Sequence, residues 1–185
     1  MSRLVVQMGM SLDGYVSSDR QHPGTAVPED DELVAWKLDR VRRAGAHLMG
    51  RVTYEEMARY WPTATGPYAA PMNDVPKVVF SKTLTEATWP VTRIAAGELA
   101  EEVAAVKAEP GPDLIAYGGA TFAAALAAQN LVDEYCLVVQ PVAVGAGGAL
   151  FAELAEPQPL ELVEARGFAC GSVGLVYRPR TAGTA

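Results

Sequence analysis

The sequence predicts an α/β protein in three layers, α/β/α: a mostly parallel sheet with helices on both faces and an antiparallel hairpin at its C-terminal edge. Three observations predict it. Apolar runs of strand length alternate with segments of helical phase through the middle of the 185-residue chain, the pattern of βαβ units. Two strand-to-helix junctions carry glycine, at Gly50 and at Gly118-Gly119. The last two strand candidates follow one another across a short turn.

In chain order, LVVQMGM (4–10) is a first strand leading into a turn-rich loop, SLDGYVSSDRQHPG. Residues 30–45 have helical phase: Val34, Leu38, Val41 and Gly45 share a face, and Asp30 and Asp31 suit the positive helix N-terminus. AHLMG is a short buried strand, and TYEEMARYW is helical. WPTATGPYAAPMNDVP is a Pro/Gly-rich connection long enough to be a functional loop. KVVFS and VTRIAA are strands, and ELAEEVAAVKAE is an amphipathic helix. DLIAYGG is a strand ending in two glycines, followed by the Ala-rich helix ATFAAALAAQN. LVDEYCLVVQPVAVG is a long strand region in which Pro141 predicts an edge or a bulge. PLELVEARGF and SVGLVYRP form the hairpin. Residues 1–178 are expected to be one domain, and 179–185 a disordered tail.

Half the residues are hydrophobic and a fifth are charged, which excludes global disorder. The net charge of −7, with no basic block, argues against nucleic acid or an anionic membrane as partner. Mean hydropathy is +0.09, yet no apolar run has bilayer length. The start of the chain has the character of a strand and not of a signal peptide, so a cytoplasmic location is expected. Cys136 and Cys170 are expected to be free thiols. His22 and His47 are the only histidines, and without a Cys or His cluster no metal site is expected.

Three segments carry chemistry. Leu48-Met49-Gly50-Arg51-Val52-Thr53 runs from a strand through glycine toward a helix N-terminus, where free N–H groups and partial positive charge bind phosphate. Arg51 adds a charged fork suited to phosphate oxygens. The competing reading makes Thr53 and Glu56 a capping box and Arg51 a solvated side chain. Tyr117-Gly118-Gly119-Ala120-Thr121-Phe122 repeats the strand–glycine–helix order. It is equally a tight turn with close helix–strand packing, but two such turns on one sheet edge can clamp a pyrophosphate. Ser81 and Lys82 end a strand with a hydroxyl and an amine that could hold a further phosphate, or are simply a polar strand end. Gly145-Ala146-Gly147-Gly148 is read as a structural turn, not a third phosphate loop.

The order SLDGYV, LMGRVTYE, YW, PKVVFSKTL, LIAYGGATF, LVDEYCLVVQPVAVGAGGALF resembles the dihydrofolate-reductase-like family. The similarity is closest to the branch related to the reductase domain of bacterial riboflavin biosynthesis. It runs from about residue 3 to about residue 177. The resemblance implies an eight-stranded sheet, NADPH as cofactor, a small-molecule substrate and a homodimer, with no fused deaminase domain. It implies that Gly50, Arg51, Val52 and Thr53 bind the NADPH phosphates, with Gly118, Gly119, Ala120, Thr121 and Phe122 as the second phosphate-binding helix end. Ser81 and Lys82 would hold the adenosine 2′-phosphate, and Gly9, Met10 and Val16 would line the nicotinamide. Asp13 and Gly14 would lie in the active-site loop, although Asp13-Gly14 is also a good turn and Gly9 could mark a bulge.

The acid that dihydrofolate reductases carry on their first long helix falls here at Val34, counting back from the MGR motif. Asp31 lies one turn earlier on the same face. Asp13 and Asp31 are therefore the candidate catalytic residues. Tyr15, Trp36, Tyr60 and Trp61 are candidates to line a flat pocket for a pterin- or pyrimidine-like substrate. The expected function is NADPH-dependent hydride transfer to a small heterocycle other than dihydrofolate. The alternatives are a riboflavin-pathway aminouracil reductase and an NADP-binding protein without turnover.

Overall fold

The computed structural model of the protein describes residues 1–18 and 28–180. Among the described residues, ten strands and five α-helices follow one another as β1 Leu4–Ser11, β2 Tyr15–Ser17, α1 Asp31–Arg42, β3 Ala46–Gly50, α2 Arg51–Tyr60, α3 Ala69–Asp74, β4 Lys77–Phe80, β5 Thr92–Ala95, α4 Leu99–Ala108, β6 Leu114–Ala116, α5 Ala120–Ala128, β7 Glu134–Gln140, β8 Gly148–Ala149, β9 Leu160–Gly167 and β10 Val173–Pro179. Eight strands form one sheet in the order β5-β4-β3-β6-β1-β7-β10-β9, and β2 pairs with β8. The pairs from β5 to β7 are parallel, and β10 is antiparallel to both β7 and β9. This is the mostly parallel sheet with an edge hairpin that the sequence predicts.

Alternate residues of each strand face opposite layers. Leu4, Val6, Leu48, Val78, Leu114 and Leu137 pack with α4 and α5 through Val103, Val106, Leu126 and Ala127. Their neighbours Val5, Cys136, Met49 and Val79 face the other layer. There α1 bridges two clusters, with Leu33 and Trp36 in one and Leu38 and Val41 in the other. The face expected for α1 is therefore shifted. Val34 is only half-buried and Gly45 lies beyond the helix, because the helix straddles two strips of sheet.

Four local expectations are corrected. Residues 61–76 are not loop throughout. They contain a 3-10 turn, Trp61–Thr63, and α3, pinned by Asn73, whose amide donates to the carbonyls of Trp61 and Ala69 and accepts from the Trp89 indole at 2.8 Å. Pro141 marks neither an edge nor a bulge. It follows the last residue of β7, a strand lying between β1 and β10, where its missing N–H costs no ladder bond. Gly9 lies in unbroken register opposite Val138, not at a bulge. Pro179, placed in the tail from sequence, pairs with Leu160, while 181–185, His22 and the 19–24 part of the first loop lie outside the described residues. No helix among the described residues is long and apolar enough to cross a membrane.

Candidate functional site

The C-terminal ends of β3, β6 and β1 lie side by side. α2 leaves β3 toward the layer of α1, whereas α5 leaves β6 toward the opposite layer. Helices that part in this way open a crevice beyond the strand ends, where ligands of open α/β sheets bind. Burial follows this geometry: Leu4–Gln7 of β1 are buried, and Met8, Gly9 and Met10 at its outer end are half-buried, as are Gly50 and Gly118.

Two helices present their N-termini to this crevice. Gly50 is the N-cap of α2 and Gly119 the N-cap of α5; neither helix has a side-chain cap or an acid in its first turn. α1, by contrast, is capped by Asp30, which accepts the Leu33 N–H at 2.8 Å, and α4 carries Glu101 and Glu102 in its first turn. The first N–H groups of α2 and α5 thus keep their positive ends uncompensated by local carboxylates. Because α2 begins at Arg51 and not at Thr53, the capping box expected of Thr53 and Glu56 does not form. Thr53 turns inward instead. Its hydroxyl donates to the Gly118 carbonyl at 2.5 Å and accepts the Gly119 N–H at 2.8 Å, across a cis Gly118–Gly119 peptide. A Cβ on Gly118 would stand 2.4 Å from the Met8 methyl, and one on Gly50 would stand 3.2 Å from Phe122 Cβ.

The remaining cofactor candidates divide by exposure. Arg51 and Val52 are exposed on the first turn of α2, and Ala120 and Thr121 are partly or fully exposed on that of α5. Phe122 packs on Phe80, with ring centroids 5.1 Å apart, and supports the crevice from below. Val16 is 3% exposed, its side chain in the core. The Gly50–Phe80 pairing brings Ser81 beside Arg51. The Ser81 hydroxyl accepts the N–H groups of Thr83 and Leu84, and so shapes its own turn. Arg51 pairs with Glu55 at 2.8 Å, and Lys82 with Glu98 at 2.5 Å.

The structure does not bring the four aromatic candidates together. Tyr60 and Trp61 stack edge to face at 4.9 Å at the end of α2, and Tyr15 lies on β2. Trp36 is buried on the other side of α1. Its indole donates to Glu164 at 2.7 Å, its ring meets Phe168 at 5.8 Å, and it fills the space that Gly174 leaves. Trp36 is a core residue because α1 presents it to β10. Asp13 joins two loops: its carboxylate accepts the N–H groups of Val144 and Gly145 at 3.1 and 2.7 Å. The Ser11 hydroxyl and these N–H groups hold its pKa down to about 2, so the carboxylate is ionised at neutral pH and acts as an anchor. Asp31 is exposed at the first position of α1. The glycine turn at 145–148 is structural. At Gly147, φ is 157° and a Cβ would lie 1.8 Å from the Ser17 carbonyl, which lets β8 pair with β2.

Sequence reading missed two tyrosines. Tyr68 caps α3, and its hydroxyl donates to the Val34 carbonyl at 3.2 Å. Tyr117, immediately before Gly118, packs against the same cluster, its ring centroid 5.2 Å from that of His47. Both lie on segments whose patterns signal only loop and strand end.

Three kinds of comparison bear on this site. The family model for the RibD C-terminal domain matches residues 2–173. The uncharacterized protein YyaP of Bacillus subtilis (strain 168) is 27% identical over 180 residues, spanning 95% of this chain and 94% of its own. A Shewanella sp. PV-4 protein assigned to riboflavin biosynthesis superposes with a TM-score of 0.78 at 21% identity, covering 98% of this chain and all of its own. Dihydrofolate reductase from Enterococcus faecalis, solved with NADP(H), superposes with a TM-score of 0.66 at 14% identity over 97% of each chain.

Proposed function

Because this chain belongs to the family of the RibD C-terminal domain, we propose that it is a cytoplasmic, homodimeric NADPH-dependent reductase of a small pterin- or pyrimidine-like heterocycle other than dihydrofolate. The observation that carries the reading is the pair of uncapped helix N-termini tied together by Thr53 at the parting of the sheet.

The residues present fit NADPH. The N–H groups of Arg51 and Val52 on one side, and of Ala120 and Thr121 on the other, would hold a pyrophosphate between two positive helix ends. Gly118 and Gly119 leave the backbone bare where phosphate oxygens must approach. Arg51 and Lys82 would take a further phosphate. Their present partners do not prevent this: exposed ion pairs are worth about 0–1 kcal/mol, whereas a charge-assisted bond to phosphate is worth about 1.5–3 kcal/mol. NADPH, when bound, supplies a hydride to an electrophilic carbon. The chain's part is to orient the two reactants and exclude water. Gly9 and Met10 form the floor on which the nicotinamide would lie, and Tyr15, Trp61 and the segment around Tyr68 stand on the substrate side.

One observation favours the reading of a cofactor binder without turnover. Val34 offers no acid, Asp31 is exposed and Asp13 serves as an ionised anchor, so none of the candidate acids stands ready to give a proton. NADPH oxidation by the purified protein over a panel of pterins, pyrimidines and aminouracils decides. Turnover of any one supports the reductase. NADPH binding with no turnover across the panel supports the binder, and failure to bind NADPH removes both.

A further inference from the structure

The two edges of the sheet are unlike. β5, at one edge, is four residues long and is exposed only at Arg93. β9, at the other, has eight residues and is exposed at 161–163 and 165–167. It pairs with β10 on one side and, among the described residues, with no strand on the other. Leu162 is 52% exposed and Val163 46%. A long bare edge with apolar side chains is open to a further strand. A bulge at Val163 brings the charges of β9 to one side of the sheet. Glu161, Glu164 and Arg166 stand opposite Arg178, Val176 and Gly174, alternate residues of β10 on the side where Val176 meets α1. There the α1 side chains Trp36 and Arg40 bond to Glu164, and Glu32 pairs with Arg166 at 3.1 Å. Glu161 has no ion-pair partner among the described residues. Between α1, β9 and the start of β1 runs a groove of about 930 Å³ in which five arginines face five carboxylates. The chain as a whole carries −7, so its surplus of acid lies elsewhere, and this is a face on which two copies escape that repulsion.

Resting on the homodimeric part of the reading above, we infer that β9 is the contact between two copies of this chain. The two β9 strands lie antiparallel about a two-fold axis, and the two eight-stranded sheets become one. Eight residues give an edge about 27 Å long, whose free N–H and C=O groups pair across the axis. A two-fold contact closes on itself, so no bare edge is left to recruit further chains. The order of charges along β9 selects its own copy over a foreign strand. Glu161 lies near the start of the strand and Arg166 near its end, on the same side of the sheet. Reversal about the axis therefore sets each Glu161 toward the other copy's Arg166, and this pair of opposite charges forms twice. Leu162 and Val163 supply the apolar contact at the centre. Beside them, the balanced charges of the groove let the two α1 flanks approach without opposing like charges.

The test is the mass of the full chain in solution, by size-exclusion chromatography with light scattering over a series of concentrations. The wild type is expected to be a dimer. Glu161→Arg and Arg166→Glu should each raise its dissociation constant by about tenfold or more. The double variant, with the two charges exchanged, should recover most of the loss. Recovery reads the contact between copies, because the exchange does not restore the pair with Glu32. Val163→Cys is the independent arm. With a mild oxidant it should give a disulfide-linked dimer near the axis. The wild type, with Cys136 and Cys170, should not, nor should Val91→Cys, beside the opposite edge and 59% exposed. A dimer that the charge reversals leave unchanged, one that both weaken without recovery in the double variant, or one cross-linked through Val91→Cys would overturn the interface and leave the homodimer standing. A monomer at every concentration would overturn both. NADPH titrated into the same samples reports on the reductase reading separately.

Discussion

The hydroxyl of Thr53 accepts the backbone N–H of Gly119 at 2.8 Å, so the N-termini of α2 and α5 are joined by a side chain buried between them. The same hydroxyl donates to the Gly118 carbonyl. Replacing it leaves a buried N–H and C=O unpaired, at a cost of about 1–3 kcal/mol. Thr53→Val, nearly the same shape, is therefore expected to lower the melting temperature and to weaken NADPH by about tenfold or more. Thr53→Ser, which keeps the hydroxyl, should recover most of both. Calorimetry and thermal unfolding of the three proteins check this. Unchanged affinity in Thr53→Val would mean that the two helix ends do not act together.

Selectivity for NADPH over NADH should depend on cations at the ends of β3 and β4. Arg51 and Lys82 each have one exposed carboxylate partner that a phosphate can displace. Lys82→Glu is expected to cost about 1.5–3 kcal/mol of NADPH binding and to leave NADH affinity nearly unaltered. Equal affinities of the wild type for the two cofactors would remove this role from Ser81 and Lys82.

Asp13 should tie its two loops together in a pH-dependent manner. Its folded-state pKa is lowered from 3.8 to about 2, so the carboxylate stabilises the loop contact above about pH 4, and that contribution is lost as pH falls through about 2. The amide resonances of Val144 and Gly145 are expected to titrate together with a midpoint near 2. Asp13→Ala should abolish that titration and raise their hydrogen exchange at neutral pH. A midpoint near 4 would mean that the N–H groups do not stabilise the charge.

Dihydrofolate is expected to be a poor substrate. Val34 can neither accept a hydrogen bond from the pteridine nor relay a proton, and general acid–base assistance contributes about 10²–10⁴-fold. Steady-state NADPH oxidation with dihydrofolate should therefore be slow in the wild type, unchanged in Asp31→Asn and faster in Val34→Asp. Efficient turnover by the wild type that collapses in Asp31→Asn would place the acid one turn earlier on α1.

The sheet was legible because apolar runs of strand length alternate with helical segments and glycines mark the junctions: AHLMG is β3 to the residue. The glycines at the strand-to-helix junctions were legible for the same local reason. The features that depend on distant partners were not. Thr53 has the sequence signature of a cap, and only the Gly118–Gly119 peptide, 65 residues away in the chain, turns it inward. Trp36 was grouped with the other aromatics because a sequence does not say which side of a helix meets β10. Tyr68 lay in a Pro/Gly-rich stretch whose α3 exists through Asn73 and its contacts to Trp61 and Trp89. Asp13 has the signature of a turn, and its two N–H partners lie more than 130 residues away.

The most direct measurement is a calorimetric titration of NADPH into the wild type and into Gly119→Val. A Cβ at residue 119 meets only the Thr53 hydroxyl, at 3.3 Å, so the variant should fold, with a circular dichroism spectrum like that of the wild type. The valine side chain would nonetheless occupy the exposed side of the α5 N-terminus, where the pyrophosphate has to lie. The account predicts clear binding by the wild type and its loss in the folded variant. Undiminished binding by Gly119→Val, or no binding by the wild type, would contradict it.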